Sequence, residues 1–523
     1  MNRECNRSSR PRPLPRKFLH PNPGAYNGQM APRGLPAKLL TALWVGVLVY
    51  LGVQIARTLL RYGALEHLQR TVFSAPAYPP TAATIGDEVA EVRKARTLYG
   101  GVELGLLLSD LLLRDAWLRP DQAAKPLAEG IKLQQDAFRQ VEPAQEQIAV
   151  ELAWAYSYAG LPEQLERWQA TALASAPSMR LHLRFLLLAG RVERDDVAGA
   201  AKVVQEELAE RPQQADTKLL ALAWHVFQGD NDAASKYAQG AAAAASTADP
   251  DLRWFYAVYL LGEGDAASAE MHFQALLNTD PHEPERAFDL SLARAARYGL
   301  DAPQTVSLLA QAASSSRNPC SMAGIKARAA VTLLQYTRDW RWADQLMDIA
   351  DGAPADFDVQ AAVAQASLNA VWWRLAGGVA GAAGTASGAR PQRHRRELPS
   401  IQAAMAAAQE AAKTTAQLQE AWVLAAQAAA YRAADNLETE NSLKDAAACL
   451  EEALRAGETP DGLPAARLPN YNGFVLDPVV RKLRATHPDF DAAVHRIVID
   501  YLNRRRELFS GVDCGPPLAY AQD

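Results

Sequence analysis

The side chains best able to do chemistry are thinly spread along this 523-residue chain. Its nine histidines are scattered. His272 and His282 flank its most regular stretch, but they lie too far apart along the chain for a ligand pair and read as surface or loop residues. The four cysteines, Cys5, Cys320, Cys449 and Cys514, form no C-x-x-C pair. A single Cys320–Cys449 bridge is open to them, with buried free thiols the simpler expectation. Asp195-Asp196 reads as a turn and Glu451-Glu452 as a solvated helix face. There is no G-x-S-x-G, no H-E-x-x-H, no P-loop and no dinucleotide-binding glycine fingerprint. The reading is therefore no catalytic residue, no cofactor and no metal. A net charge of −5 argues against nucleic acid as a partner. What remains is binding, and the elements that would position a binding surface.

The first such element is an anchor. Residues 39–56, LLTALWVGVLVYLGVQIA, carry no charge. As a helix they would span about 27 Å, near the thickness of a bilayer core. A buried soluble helix would need neighbours on every face, and residues 1–38, with seven prolines, offer none. Eight basic residues precede the run, from Arg3 to Lys38, and only Arg57, Arg61 and Arg70 follow closely. The positive-inside rule then places the N-terminus in the cytoplasm and the bulk of the chain outside it, in the periplasm of a Gram-negative cell. Three rival readings bear on this run. A cleaved signal peptide lacks a site next to the run, since Ser74-Ala75-Pro76-Ala77 comes too late. A mitochondrial presequence is countered by the prolines. A start at Met30 would keep the anchor but weaken the charge bias.

From about Tyr99 the chain reads as helix after helix, rich in Ala, Leu, Glu, Gln and Arg. Self-similarity appears at a period near 35 residues. Gly229-Asp230 and Gly264-Asp265 are its clearest pair. In residues 250–283, Ala257 is the small residue where two helices approach. Gly264-Asp265 makes the turn, Ala269, Phe273 and Leu276 pack the second helix, and Pro281 closes the unit. Residues 146–179, 181–214 and 215–249 fit less strictly, with Asp195-Asp196 standing in place of Gly-Asp. Asp339-Trp340 with Ala343, Met347, Ala350 and Pro354 repeats the second-helix pattern, Gly299 marks a degenerate unit, and residues 101–143 form an N-terminal pair without the signature. The alternative is a generic helical bundle with chance Gly-Asp turns.

These residues resemble the tetratricopeptide-repeat family. The stretch Asp477-Pro478, Leu483-Arg484 and Pro488-Asp489-Phe490 resembles the terminal unit of many bacterial members, with Asp caps and prolines at helix starts. The resemblance covers roughly residues 140–360 and 420–505. It implies an all-α fold, a right-handed superhelical solenoid of helix hairpins, whose first helices line a concave surface. Carrying the family's groove positions onto matching residues gives Trp154, Tyr158, Phe185, Phe227 and Trp254, the last one place out of phase. Each either faces a groove suited to an extended segment or helix of a partner protein, or packs between helices.

The expected organisation is a basic, Pro-rich segment (1–38), a transmembrane helix (39–60), a juxtamembrane linker or helix (61–98), a solenoid (99–376), a Gly/Ala/Arg-rich loop (377–399), further repeat-like helices with a terminal cap (400–510) and a tail (511–523). The loop reads as a solvated insertion or as a docking patch for anionic lipid. The layout resembles translocon-associated periplasmic tetratricopeptide proteins and cytochrome-c-maturation chaperones. The expected function is a membrane-anchored, extracytoplasmic scaffold for other proteins, chaperone- or assembly-factor-like. The alternative is a non-catalytic organising subunit of a membrane enzyme, transport or envelope-polysaccharide assembly complex.

Overall fold

A computed structural model describes residues 83–509, apart from 120–121, 141–144, 229, 246–249, 280, 282, 315–319, 381–397, 436–438 and 459–470. The chain parts into two units, Met1–Leu60 and Arg61–Asp523, and every described residue belongs to the second. The expected anchor at 39–60, the segment before it, most of the 377–399 loop and the tail lie outside the described residues. Among the described residues no helix is long and apolar enough to cross a membrane.

The described residues are all-α, with no strand among them. Helices α1 (Ile85–Tyr99), α2 (Val102–Leu118) and α3 (Ala124–Phe138) come first. Hairpins follow: α4 (Gln145–Tyr158) with α5 (Pro162–Ser175), α6 (Arg180–Glu193) with α7 (Val197–Glu210), α8 (Ala215–Phe227) with α9 (Asn231–Ala245), and α10 (Pro250–Gly262) with α11 (Ala266–Thr279). Then come α12 (Pro284–Tyr298) with α13 (Pro303–Ala313), α14 (Met322–Thr337) with α15 (Arg341–Gly352), α16 (Phe357–Ala380) with α17 (Ile401–Ala411), and α18 (Thr415–Ala434) with α19 (Thr439–Arg455). The first helices at Gln145, Arg180, Ala215 and Pro250 start 35 residues apart. Each packs on its own second helix, and from α4 to α10 also on the next first helix, the stacking of a helical solenoid. Within the expected 61–98 linker or helix, α1 buries Ile85, Val89 and Val92 against α2, and α16 runs on to Ala380, past the expected loop start at 377.

The turns explain the period. Gly264 ends α10 at φ +85°, and the Asp265 N–H reaches back to the Leu260 carbonyl at 2.9 Å. The Asp265 carboxylate then accepts the Ser268 N–H at 3.0 Å and caps α11. Along α11, Ala269, Phe273 and Leu276 sit four and three residues apart on one face, all buried, with Ala257 buried opposite. Truncating a side chain as enclosed as Phe273 costs about 3–5 kcal/mol. Asp195 makes the same turn at φ 65°, a conformation that L side chains adopt reluctantly, and Asp196 caps α7 through the Gly199 N–H at 2.8 Å.

The C-terminal segment departs from the expectation that it merely ends the stack. Helices α20 (Asn472–Val475), α21 (Pro478–Thr486) and α22 (Pro488–Arg505) and the 3₁₀ turn Arg506–Phe509 return to the early hairpins. On one side Tyr431 of α18 donates to Asp477 at 2.6 Å. On the other, Arg484 reaches Asp195 at 2.5 and 2.6 Å, Arg505 Nε donates to the Ala159 carbonyl at 2.9 Å, and Arg506 pairs with Glu163 at 3.0 Å. Leu476 and Phe509 are buried in the apolar clusters of these early hairpins. A simple solenoid has no such links, because each repeat meets only its neighbours. Asp477 caps α21 as expected, with Pro478 at its first position. Asp489 does not cap α22. The cap position is His487, and Asp489 lies inside the first turn, where its charge still suits the helix dipole.

Candidate functional site

The first helices line an open-sided chamber of about 990 Å³, walled from α2, α4, α6, α10, α12 and α14, with Leu276 and Thr279 of α11 and Ala312 of α13. A second cavity of about 620 Å³ adjoins it, with Arg328 on both walls and Gly473, Leu476, Asp477 and Pro478 of the returning segment on one side. Helical spacing aims the side chains inward. On α2, Asp110, Leu113, Arg114 and Trp117 share one face, and on α4 so do Glu151 and Trp154.

The five groove candidates divide. Trp154, Phe185 and Trp254 line the larger chamber, and Phe227 lines the smaller. Tyr158 lines neither; it stacks on Trp154 with centroids 5.3 Å apart and donates its hydroxyl to the Ala116 carbonyl at 2.9 Å. All five are half-buried, so for four of them core packing and cavity exposure coexist. Two aromatic residues that sequence reasoning passed over complete the pattern. Trp117 meets Trp154 at 6.0 Å and Tyr158 at 5.4 Å. Phe255 joins Phe185 at 5.4 Å, Phe227 at 6.0 Å and Trp254 at 4.9 Å. Such tilted pairs add about 0.5–1.5 kcal/mol each beyond their burial and hold the rings in place.

Carboxylates are set among the rings. The Trp254 indole N–H donates to Asp289, whose burial pushes its carboxyl up to about 7 despite that bond and the Arg286 guanidinium 3.8 Å away. Burial, and then Asp289, also push the Tyr336 hydroxyl up. Asp110 lines the chamber as an exposed side chain, and the protein packed beside it raises its carboxyl against the pull of Arg114. Glu151 is raised by burial too, against a hydrogen bond from Gln147, with Asp110 adding to the rise. The arrangement offers flat apolar faces beside hydrogen-bond acceptors.

The remaining candidates fall elsewhere. His272 is half-buried on α11, edge-on to Tyr256 and accepting from Arg253 at 3.3 Å, while His282 lies outside the described residues. Cys320 and Cys449 are free thiols, each half-buried. Glu451 and Glu452 are solvated beside Arg455. Among the described residues no group of three or more His, Cys, Asp or Glu side chains could hold a metal ion. No protein-family model matches the chain, and no curated protein matches it in sequence.

Proposed function

We propose that the protein is a scaffold of the tetratricopeptide type that holds an extended segment or helix of a partner protein in the aromatic chamber. The observation that carries this reading is the convergence of Trp154, Phe185 and Trp254, from three first helices, on one 990 Å³ space. A cavity of that size, apolar in its rings and dotted with acceptors, suits a polypeptide segment anchored by a few side chains. On this reading the chain is a binding protein and not an enzyme. Residues 39–60 anchor it in the cytoplasmic membrane, with the N-terminus inside and the repeats on the extracytoplasmic face, where it serves as a chaperone or assembly factor. The charge-free run and the basic residues before it support that placement.

Two experiments test the two halves. Alkaline phosphatase fused after Arg61 is active if the orientation is right, and inactivity rejects it. A photocrosslinker at Trp254 in the full chain captures a defined partner segment, and the yield falls when Trp154→Ala is added. A crosslinker at exposed Leu98 that captures the same segment equally well rejects the chamber as the site.

A further inference from the structure

Resting on that reading, we propose that the α2–α4 end of the chamber receives a cationic side chain of the bound segment, the guanidinium of an arginine or the ammonium of a lysine. Asp110 is the starting point. Its carboxylate is exposed on the chamber wall and, among the described residues, accepts no hydrogen bond and joins no ion pair. Arg114, one helical turn along, acts on it only through space. Glu151 faces the same space from α4. Its two oxygens are fixed by neutral donors, Gln134 at 2.6 Å and Gln147 at 2.7 Å, which orient the carboxylate without cancelling its charge.

The rings beside these acids favour the same ligand. Trp154 lies one turn beyond Glu151, stacked on Tyr158 and tilted against Trp117. The face of an indole attracts a cation. A carboxylate with an aromatic face suits the planar guanidinium, which can bond one and stack on the other. The rest of the chamber does not reverse the sign. Five carboxylates line it against three guanidinium groups. Of the three, Arg286 already pairs with Asp289 at 3.8 Å, and Arg328 lies over the Phe288 ring at 5.8 Å. Both are committed at the α12–α14 end, away from Asp110.

The test uses the purified full chain and three fluorescent heptapeptides of alternating leucine and a variable residue, with blocked ends. The variable residue is arginine, its neutral isostere citrulline, or glutamate. Anisotropy should rank the arginine peptide about tenfold or more tighter than the citrulline peptide, with the glutamate peptide weakest. Asp110→Asn, checked for folding by circular dichroism, should abolish most of the preference for arginine over citrulline and leave citrulline binding unchanged. Glu151→Gln should do the same to a smaller degree. Glu440→Gln, at an exposed pair with Lys444, should leave the preference intact. Equal binding of arginine and citrulline peptides, tighter binding of the glutamate peptide, an unchanged preference in Asp110→Asn, or no binding of any peptide overturns the inference. The crosslinking experiment from Trp254 judges the scaffold reading separately in each of these cases.

Discussion

Two buried aspartates, Asp195 and Asp289, were given opposite environments, and the contrast separates the seam that ties the C-terminal helices to the early hairpins from the wall of the chamber. Burial would raise both carboxyls. At Asp195 it is outweighed by hydrogen bonds from His495 and Arg484 and by the charge of Arg484, so the carboxyl falls below the usual range. At Asp289 a bond from Trp254 and a guanidinium 3.8 Å away do not outweigh it, and the carboxyl rises to about 7. The first is an ion pair completed within the chain, spanning 289 residues of sequence. The second belongs to the chamber wall, where its partners are a neutral indole and a guanidinium at the edge of ion-pair distance. Ion pairing prevails over burial at the first and burial over pairing at the second.

The comparison breaks most visibly at Arg484. Arg484→Ala leaves Asp195 buried beside only His495, and removing one partner of a buried pair costs about 3–5 kcal/mol. Urea unfolding should report that loss, or hydrogen exchange should show α20–α22 opening ahead of the rest. An effect below about 1 kcal/mol would reduce the seam to a surface contact.

The next test is pH. Glu193, at the seam, is raised to about 8 by burial, against the pull of Arg505, and its Oε2 is shut off from water without a partner. An acid raised in the folded state favours folding below its ordinary value and loses that contribution as pH rises through the folded value. Stability therefore falls as pH rises, between about 4.5 and 8 through Glu193 and between about 3.8 and 7 through Asp289. Glu193→Gln should flatten the thermal-midpoint curve over that window and stabilise the chain at pH 8. Asp195 acts oppositely: its contribution is present above the ordinary aspartate range and is lost only as pH falls through its lowered value. An unchanged slope in Glu193→Gln would mean that its carboxylate is solvated.

A smaller effect is expected at Trp254. Trp254→Phe keeps an aromatic wall but removes the donor to Asp289, leaving that carboxyl less satisfied, at a cost of about 1–3 kcal/mol. The smallest is at Gly264. A Cβ there meets nothing within 4 Å, so Gly264→Ala costs only the positive φ, about 1–2 kcal/mol. A larger loss would mean the turn carries more than backbone conformation.

The repeats were legible because their signals are local. Hairpin starts expected at 146, 181, 215 and 250 stand at Gln145, Arg180, Ala215 and Pro250, since glycine turns, caps and small residues at fixed offsets act within one period. The closure was not, because no pattern within 35 residues encodes a bond between Asp195 and Arg484. Its one trace was a departure: Asp195 stands where Gly264 stands in the best unit, and it was read only as a turn residue. A carboxylate accepted at a position that favours glycine marks a side chain needed for something besides the turn. The chamber was half legible. Four of the five aromatic candidates line a cavity, but Trp117 lies on α2, outside the repeats that carry the signature, and Phe255 stands beside Trp254, which had taken the groove position.

Thermal unfolding of Asp195→Asn and Asp110→Asn, measured side by side at neutral pH, tests the division most directly. Asp195→Asn should lower the midpoint by several degrees, while Asp110→Asn should leave it unchanged or raise it, because the Asp110 carboxylate accepts no hydrogen bond and joins no ion pair among the described residues. A midpoint that falls as far for Asp110→Asn as for Asp195→Asn would contradict the account, by making the chamber's acid part of what holds the fold together.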